Sequence, residues 1–260
     1  GPTPWVANTG LVSADFQAPN RLLVAGDTFT DGAMTIINTD TGVLINQQGA
    51  NLDGGSPIRV ASAVFYGPSN IVGAFQAGSN YFQYNSTISG LTGAGFYAGP
   101  GPAASRDIVV GNNNTIYIAY NTGAGVIGVH RWADDVTSPL SLSGNTTTPA
   151  WYTTTTTGAG NTINGIGRLL YGATEYIVVT NPALGRLELV DSSNPATTVT
   201  LTNASLTAPR DVVSFTVNGS QYLAVTQYDA PDGGRVSIFG IDGATLNPTA
   251  LGASTWMQYN

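Results

Sequence analysis

Apolar and polar positions along the chain alternate in short runs that predict β-strands and turns. The clearest example lies near the C-terminal end, where residues 210–215 lead to residues 222–226, a polar turn at 229–234, and a third run at 235–243. No stretch of about a dozen residues carries an apolar stripe with the period of a helix. The residue types that dominate, Thr, Asn, Ser, Gly, Val and Ile, favour strands and turns over helices. The pattern therefore predicts an all-β chain.

This unit recurs along the chain as strand, turn, strand, polar turn, strand and a looser polar strand. The second strands begin near positions 22, 71, 116, 176 and 222, so successive copies are 49, 45, 60 and 46 residues apart. Continuing from the last copy through both ends to the first gives another 60 residues. A period of about 40 to 50 residues with four strands per unit is typical of β-propellers. We therefore predict an all-β, five-bladed β-propeller with about four antiparallel strands per blade.

The predicted blades together form a single domain over residues 1–260, with approximate bounds at residues 12–48, 56–92, 104–144, 162–202 and 208–258. A ring of sheets stacked face to face buries both faces of each sheet, which one four-stranded sheet cannot do alone. A β-sandwich or a β-helix is the alternative, but a sandwich does not predict five alignable copies. The opening Gly1 and Pro2 resemble the remnant of tag removal. We therefore expect an excised region, which leaves open that it is one module of a longer chain.

The third strand of the repeat is similar to that of a known propeller family. Residues 185–191 read Gly-Arg-Leu-Glu-Leu-Val-Asp, and residues 234–243 read Gly-Arg-Val-Ser-Ile-Phe-Gly-Ile-Asp-Gly. Both resemble the repeat of the YVTN/lactonase-like propeller superfamily, and the resemblance extends loosely over most of the chain. It implies a propeller fold and says little about activity.

The charge and composition of the chain limit the classes of partner that it is expected to bind. Charged residues make up only 9% of the chain, the formal net charge is −7, and neither Lys nor Cys occurs. A surface that binds nucleic acid needs clustered Lys and Arg, so nucleic acid is not expected as a partner. No apolar run approaches 18 residues, so membrane insertion is not expected either. The low-charge, lysine-free composition favours an extracellular or cell-surface location.

Metal and cofactor chemistry finds little support in the sequence. His130 is the single histidine and is interpreted as an ordinary strand residue. Calcium needs six to eight oxygen ligands, and Asp residues also stabilise turns through their own backbone. No cofactor is therefore predicted, with calcium left open at three acidic pairs: Asp27 and Asp31, Asp134 and Asp135, and Asp229 and Asp232.

Arginines precede the first strand in three of the copies, and two of them are followed by an acid. The residues are Arg59, Arg106 with Asp107, and Arg210 with Asp211, and Asp15 is a candidate for a comparable place in the first copy. In a propeller the first strands line the central channel, so these groups could bind sugar hydroxyls or a carboxylate-bearing ligand. Neighbouring residues of a regular strand point to opposite faces. The alternative interpretation is that each Arg ties one blade to the next.

Trp151 and Tyr152 lie in a long polar insertion, residues 145–161, which accounts for one 60-residue spacing. Long loops carry function more often than short ones, and an exposed Trp-Tyr pair suits sugar or peptide stacking. The alternative is that both rings pack over the edge of a blade.

These observations predict an extracellular, non-catalytic binding module that acts in adhesion, glycan binding or surface assembly. Its partner would be a surface glycan or a protein ligand. The candidate ligand-binding residues are Arg59, Arg106, Asp107, Arg210, Asp211, Trp151 and Tyr152. No catalytic residue is assigned. The alternative is a carbohydrate-active hydrolase or lyase that uses channel-facing Asp residues as paired carboxylates, and a structural spacer is a third reading.

Overall fold

The fold was analysed in a computed structural model, which describes residues 11–26, 34–48, 60–68, 70–75, 81–85, 93–98, 104–121, 125–132, 150–155, 165–229, 233–241, 248–250 and 258–259. The chain divides into two compact units. The first unit comprises Gly1–Tyr120 and Arg131–Pro149, and the second comprises Asn121–His130 and Ala150–Asn260.

In chain order the strands are β1 (Leu11–Gln17), β2 (Arg21–Gly26), β3 (Met34–Asn38), β4 (Leu44–Gln48), β5 (Val60–Tyr66), β6 (Asn70–Phe75), β7 (Tyr81–Asn85), β8 (Gly93–Ala98), β9 (Ala104–Val110), β10 (Ile116–Asn121), β11 (Val126–Trp132), β12 (Tyr152–Thr155), β13 (Ile166–Tyr171), β14 (Thr174–Asn181), β15 (Arg186–Asp191), β16 (Thr198–Thr202), β17 (Pro209–Val217), β18 (Ser220–Asp229), β19 (Gly233–Ile241), β20 (Pro248–Ala250) and β21 (Gln258–Tyr259). The helical structure in the described residues is a single 3-10 turn at Asn112–Asn114.

The first unit contains two four-stranded antiparallel sheets, ordered β1-β2-β3-β4 and β5-β6-β7-β8, together with β9 and most of β10. The first strands of successive sheets contact one another, β1 against β5 and β5 against β9. Side chains such as Leu23, Ile36 and Phe65 are buried together between the β1–β4 and β5–β8 sheets. Val72 and Ile116 belong to a second cluster on the other face of the β5–β8 sheet. Both faces of that sheet are therefore covered.

The second unit contains the antiparallel sheets β13-β14-β15-β16 and β17-β18-β19-β20, and β21 also pairs with β19. It includes residues 126–130 of β11, of which residues 126–129 pair antiparallel with β12. One apolar cluster, with Leu169, Val178, Leu189, Val225 and Phe239 among its members, joins the two sheets. Again the first strands, β13 and β17, contact one another.

The burial of β14 explains its sequence. Residues 177–181 are all buried, which is why the strand reads as a nearly continuous apolar run rather than an alternation. The hairpin between β17 and β18 turns at Asn218 and Gly219, which have φ angles of 50° and 80°. Asn-Gly is the residue pair that accepts two successive positive φ angles most readily.

The predicted all-β class is confirmed, and the five predicted second strands lie within β2, β6, β10, β14 and β18. The run at residues 222–226 lies in β18, and the run at 235–243 overlaps β19 (Gly233–Ile241). The described residues contain no helix of the length and hydropathy that a membrane crossing requires. The count of five blades remains a prediction, as does a single domain.

Candidate functional site

The start of β17 carries a β-bulge at Arg210. Pro209 lies opposite Gln227 and Asp211 lies opposite Thr226, so Arg210 is the extra residue between two successive pairs. A bulge breaks the alternation of side chains between the two faces of a sheet. The argument that neighbouring Arg and Asp must point to opposite faces requires a regular strand, and the strand is not regular here.

Arg210 and Asp211 share a face with Tyr228. The guanidinium carbon of Arg210 lies 6.0 Å from the centre of the Tyr228 ring, within cation–π range. Thr226 lies opposite Asp211 and Tyr228 lies two residues further along β18, so the side chains of Asp211, Thr226 and Tyr228 are on one face. The contact with the Tyr228 ring places Arg210 beside them. Tyr228 is 54% exposed, and Asp211 is also exposed. We call Arg210, Asp211 and Tyr228 the β17 cluster.

The backbone at Arg210 is held by two buried residues of the neighbouring sheet. The Gly165 N–H donates to the Arg210 carbonyl at 2.6 Å, and the Thr180 hydroxyl lies 3.3 Å from the same oxygen. The Thr180 hydroxyl is itself 2.9 Å from the Gly165 N–H. A Cβ at position 165 would lie 2.5 Å from Oδ1 of Asp211, so only glycine allows this approach. The backbone that carries Arg210 and Asp211 is therefore closely packed against Gly165 and Thr180.

An apolar strip continues from the cluster along the same face of β17. Val213, Phe215 and Val217 follow Asp211 at two-residue steps, and all three are exposed. The Phe215 ring stacks on Tyr222, with ring centres 5.4 Å apart. Exposed apolar side chains in a row are typical of interaction surfaces.

Arg106 and Asp107, on β9 in the first unit, repeat part of this geometry. Oδ1 of Asp107 accepts the Ile108 N–H at 2.8 Å, as Oδ1 of Asp211 accepts the Val212 N–H at 2.7 Å. Arg106 is half-buried, and that burial lowers the pKa of its guanidinium. The same hydrogen bond to the following backbone N–H thus recurs at both Asp residues.

The observed strand register changes which residues occupy equivalent positions in the different sheets. In the β5–β8 sheet the bulge falls at Ala61, between the pairs Val60–Phe75 and Ser62–Ala74. Ala61 therefore corresponds to Arg210, whereas Arg59 is two residues earlier and lies outside the described residues. In the β1–β4 sheet the bulge precedes Ser13, which lies opposite Ala25.

Asp15 is therefore two residues beyond the place that corresponds to Asp211. Its Oδ2 accepts the Phe65 N–H at 2.7 Å, and its Oδ1 accepts the Phe16 N–H at 3.0 Å. Burial raises the pKa of the Asp15 carboxyl, and the two backbone hydrogen bonds oppose that rise. The Asp15 carboxylate therefore connects β1 to β5 of the neighbouring sheet by a hydrogen bond.

Trp151 and Tyr152 lie at the start of β12, and both are half-buried. Their ring centres are 6.4 Å apart with the planes tilted by 58°. The Tyr152 hydroxyl points inward and donates to Oε2 of Glu188 at 2.7 Å. Burial and the neighbouring Glu188 carboxylate raise the pKa of the Tyr152 phenol well above its usual value.

Glu188 is the centre of a buried polar cluster. Its side chain is 1% exposed and lies 2.5 Å from the Arg186 guanidinium. Its Oε1 also accepts the Thr154 hydroxyl at 2.9 Å, and the Asn181 amide lies 3.5 Å away. A buried carboxylate needs such partners. Its place among the apolar residues of β15 is the one sequence signal that could have indicated the cluster.

Glu175, another buried acidic residue, has an ion-pair partner of its own. Glu175 is buried and pairs with Arg168 at 2.6 Å. The part of the chain that the structure describes contains no group of three or more His, Cys, Asp or Glu residues placed to hold a metal ion. The acidic pairs considered for calcium have their side chains outside that part. His130, on β11, is buried, and burial lowers the pKa of its imidazole from 6.5 to about 4.

No protein-family model matches the chain, and no curated protein matches it. Several solved structures are similar at low sequence identity. A Bacteroides caccae protein of unknown function is 14% identical with a TM-score of 0.55, and the match covers 94% of this chain and 73% of that one. A chain of a nidogen/laminin complex is 10% identical with a TM-score of 0.57, covering 92% and 78%.

An exo-β-1,3-galactanase from Phanerochaete chrysosporium, solved with β-1,3-galactotriose, is 13% identical with a TM-score of 0.55. That match covers 94% of this chain and 62% of the galactanase chain. At these identities the likeness concerns the fold alone. Propeller-like folds recur among the similar structures, and the small antiparallel sheets of this chain agree with them, so the chain has a β-propeller-like fold.

Proposed function

We propose that this protein is an extracellular or cell-surface binding module without a catalytic step, and that the β17 cluster contacts a glycan. The observation that carries the proposal is the bulge at Arg210, which brings a guanidinium, a carboxylate and an exposed tyrosine ring to one face. Adhesion and surface assembly are functions that such a module would serve.

The chemistry of the cluster suits a sugar. An aromatic ring offers an apolar face and a polar edge, which matches the faces and hydroxyls of a pyranose. The guanidinium donates hydrogen bonds and a carboxylate accepts them, so Arg210 and Asp211 together complement hydroxyl groups, which do both. The packing of Gly165 and Thr180 against the Arg210 carbonyl holds the cluster in place before any ligand arrives. Such preorganisation lowers the entropic cost of binding.

A carbohydrate-active hydrolase or lyase is the alternative. It requires two carboxylates about 5–10 Å apart across the sugar. In the described part of the second unit, Glu175 and Glu188 are each paired with an arginine. Asp191 accepts hydrogen bonds from Ser193 in its own turn. Asp211 is the described carboxylate that lies with Arg210 and Tyr228. The described side chains place one carboxylate in the β17 cluster and not a catalytic pair, and we therefore favour binding.

Membership of the YVTN/lactonase-like superfamily is a further proposal. It is supported by the third-strand motifs, which form β15 and β19 in corresponding places of their sheets. The propeller-like neighbours agree with this superfamily without distinguishing it from other propellers.

A glycan array tests the proposal, with the purified chain applied with and without calcium. We expect the wild-type chain to bind one class of glycan. Tyr228→Ala should weaken that binding by about 3- to 10-fold through the lost ring, and Arg210→Gln by about 10-fold. Phe16→Ala is the matched control, because Phe16 is an equally exposed ring on β1 of the first unit.

Two outcomes would contradict the proposal: no glycan bound by the wild-type chain in either condition, or equal binding by the wild type and the Tyr228→Ala and Arg210→Gln variants. Cleavage of the bound glycan, abolished in Asp211→Asn, would favour the hydrolase instead.

A further inference from the structure

Arg106, on β9, carries a half-buried guanidinium, and the described residues supply no hydrogen bond or ion pair for it. Its Nε is enclosed by protein and lacks an acceptor. Burial lowers the pKa of this guanidinium, and no carboxylate in the described part of the chain opposes that shift. A charge that is removed from water without a partner is unfavourable. A ligand or ion that completes its contacts is a physical explanation for such a group.

The other half-buried arginines that the structure describes each have a partner for the guanidinium. The partner is a glutamate, a backbone carbonyl or an aromatic ring, and these arginines are Arg21, Arg168, Arg186, Arg210 and Arg235. Arg131 is exposed, so water solvates its charge. Among the described arginines, burial without a partner is therefore particular to Arg106.

The strand that carries Arg106 is firmly held. β9 contacts β5 and β6 of the neighbouring sheet, and Ile108, two residues beyond Arg106, is buried in the apolar cluster there. A guanidinium on such a strand loses little further freedom when it binds a ligand, which lowers the entropic cost of binding. Its partial burial also strengthens the attraction of an anion, because the surroundings are less polar than water.

The chemistry of Arg106 selects the class of ligand. A guanidinium presents its N–H groups in a plane that matches the two oxygens of a carboxylate. Because Nε is enclosed, the two terminal nitrogens are the donors for a ligand. The chain carries a net charge of −7, so a ligand with many negative charges is repelled, whereas one carboxylate beside an arginine is not.

We infer that Arg106 binds the carboxylate of an acidic sugar, such as a uronic acid residue of a glycan. The choice of a sugar rests on the proposed function, in which Arg210 of the β17 cluster contacts a glycan. Arg106 precedes Asp107 as Arg210 precedes Asp211, and both Asp residues make the same backbone hydrogen bond. The inference adds a second contact site, in the first unit, and a preference for acidic glycans.

NMR signals of the arginine Nε–H groups test the inference. The chain has eight arginines, and Arg106→Lys identifies the Arg106 signal by its loss. As sodium glucuronate is raised to about 50 mM at constant ionic strength, we expect a saturable shift of the Arg106 signal with a Kd of about 1–10 mM. Glucose should leave the signal unchanged, because it lacks the carboxylate. Arg131 is the internal control, and its signal should shift little.

Arg106→Gln removes the charge and keeps amide donors. The backbone N–H signal of Ile108 reports glucuronate binding in this variant, and the affinity should fall by about tenfold or more. The dispersion of the backbone spectrum shows that the variant is folded. Arg131→Gln is the matched control and should bind glucuronate like the wild type. Tyr228→Ala should also bind it like the wild type, which distinguishes failure at Arg106 from failure of the glycan site at the β17 cluster.

Three results would overturn the inference. The Arg106 signal would stay unshifted or would shift no more than that of Arg131, or Arg106→Gln would bind glucuronate like the wild type. In the third, N-acetylaspartate would shift the Arg106 signal at the same or lower concentrations than glucuronate, and the ligand would then be an acidic peptide.

Discussion

The phenol hydroxyl of Tyr152 donates a 2.7 Å hydrogen bond to the buried carboxylate of Glu188, 36 residues further along the chain. This bond attaches β12 to β15, and the Thr154 hydroxyl adds a second bond to the same carboxylate. Tyr152 was a candidate for stacking a ligand, and in this arrangement its hydroxyl serves the fold. Its ring is half-buried, as is that of Trp151.

Replacing Tyr152 with Phe should destabilise the protein. The ring remains but Oε2 of Glu188 loses its donor, and a buried carboxylate oxygen without a partner costs about 1–3 kcal/mol. Urea unfolding followed by tryptophan fluorescence measures the change in the free energy of unfolding. Thr153→Val, at an exposed position of the same strand, should change it by less than about 0.5 kcal/mol. Equal stability of Tyr152→Phe and wild type would show that the bond contributes nothing.

Alkaline pH should also weaken the fold through Tyr152. The pKa of its phenol is raised by burial and by Glu188, so the folded state holds the proton more tightly than the unfolded state does. The stabilisation is fully present below the unfolded pKa of about 10 and is lost as the pH rises above it. The free energy of unfolding of the wild type should therefore fall above pH ~10 more steeply than that of Tyr152→Phe. Parallel curves for the two proteins would contradict this assignment.

His130 should make the free energy of unfolding depend on pH in the opposite direction, with a loss of stability towards acid pH. Burial lowers the pKa of its imidazole from 6.5 to about 4, so the unfolded state binds the proton more readily. The stabilisation is fully present above pH ~6.5 and is lost as the pH falls towards 4. Asp15, whose pKa is raised, acts in the reverse direction at low pH. The difference between the wild type and His130→Gln isolates the histidine, and it should shrink between pH ~7 and 4. A difference that does not depend on pH would exclude this role.

Gly165→Ala should affect both the fold and the β17 cluster. The added Cβ would lie 2.6 Å from Cα of Asp211 and 2.7 Å from the Arg210 carbonyl, which are backbone atoms that cannot rotate away. We expect a loss of about 1–3 kcal/mol in the free energy of unfolding, together with weakened glycan binding. Gly73→Ala is the control, because its nearest contact would be 3.6 Å. If Gly165→Ala binds glycan like the wild type, the cluster does not depend on this packing.

The repeat could be predicted from the sequence because alternation of apolar and polar residues is a local property. The observed strands β2, β6, β10, β14 and β18 contain the five predicted second strands. Turn residues such as Asn218 and Gly219 favour their positive φ angles by their residue type alone. The all-β class followed from the same pattern and from the scarcity of helix-forming residues.

The candidate site could be predicted only in part. Arg210 and Asp211 were identified from their recurrence, but Tyr228 was not, because a bulge adds a residue to a strand without a recognisable sequence mark. Arg59 was predicted to be equivalent to Arg210. The strand register instead makes Ala61 equivalent to Arg210, because the bulge of the β5–β8 sheet falls at Ala61. Residue spacing cannot show such a shift.

The sequence by itself therefore determined the strands, their periodic grouping and the scarcity of charge. The tertiary structure alone decided which polar groups meet. Glu188 is joined by Tyr152 and Thr154, residues more than thirty positions away, and burial makes those bonds necessary. Arg210 and Tyr228 lie together because a bulge and a neighbouring strand place them on one face. Local patterns specify strands, whereas pairing across strands depends on register and packing, which become defined only when the sheets assemble.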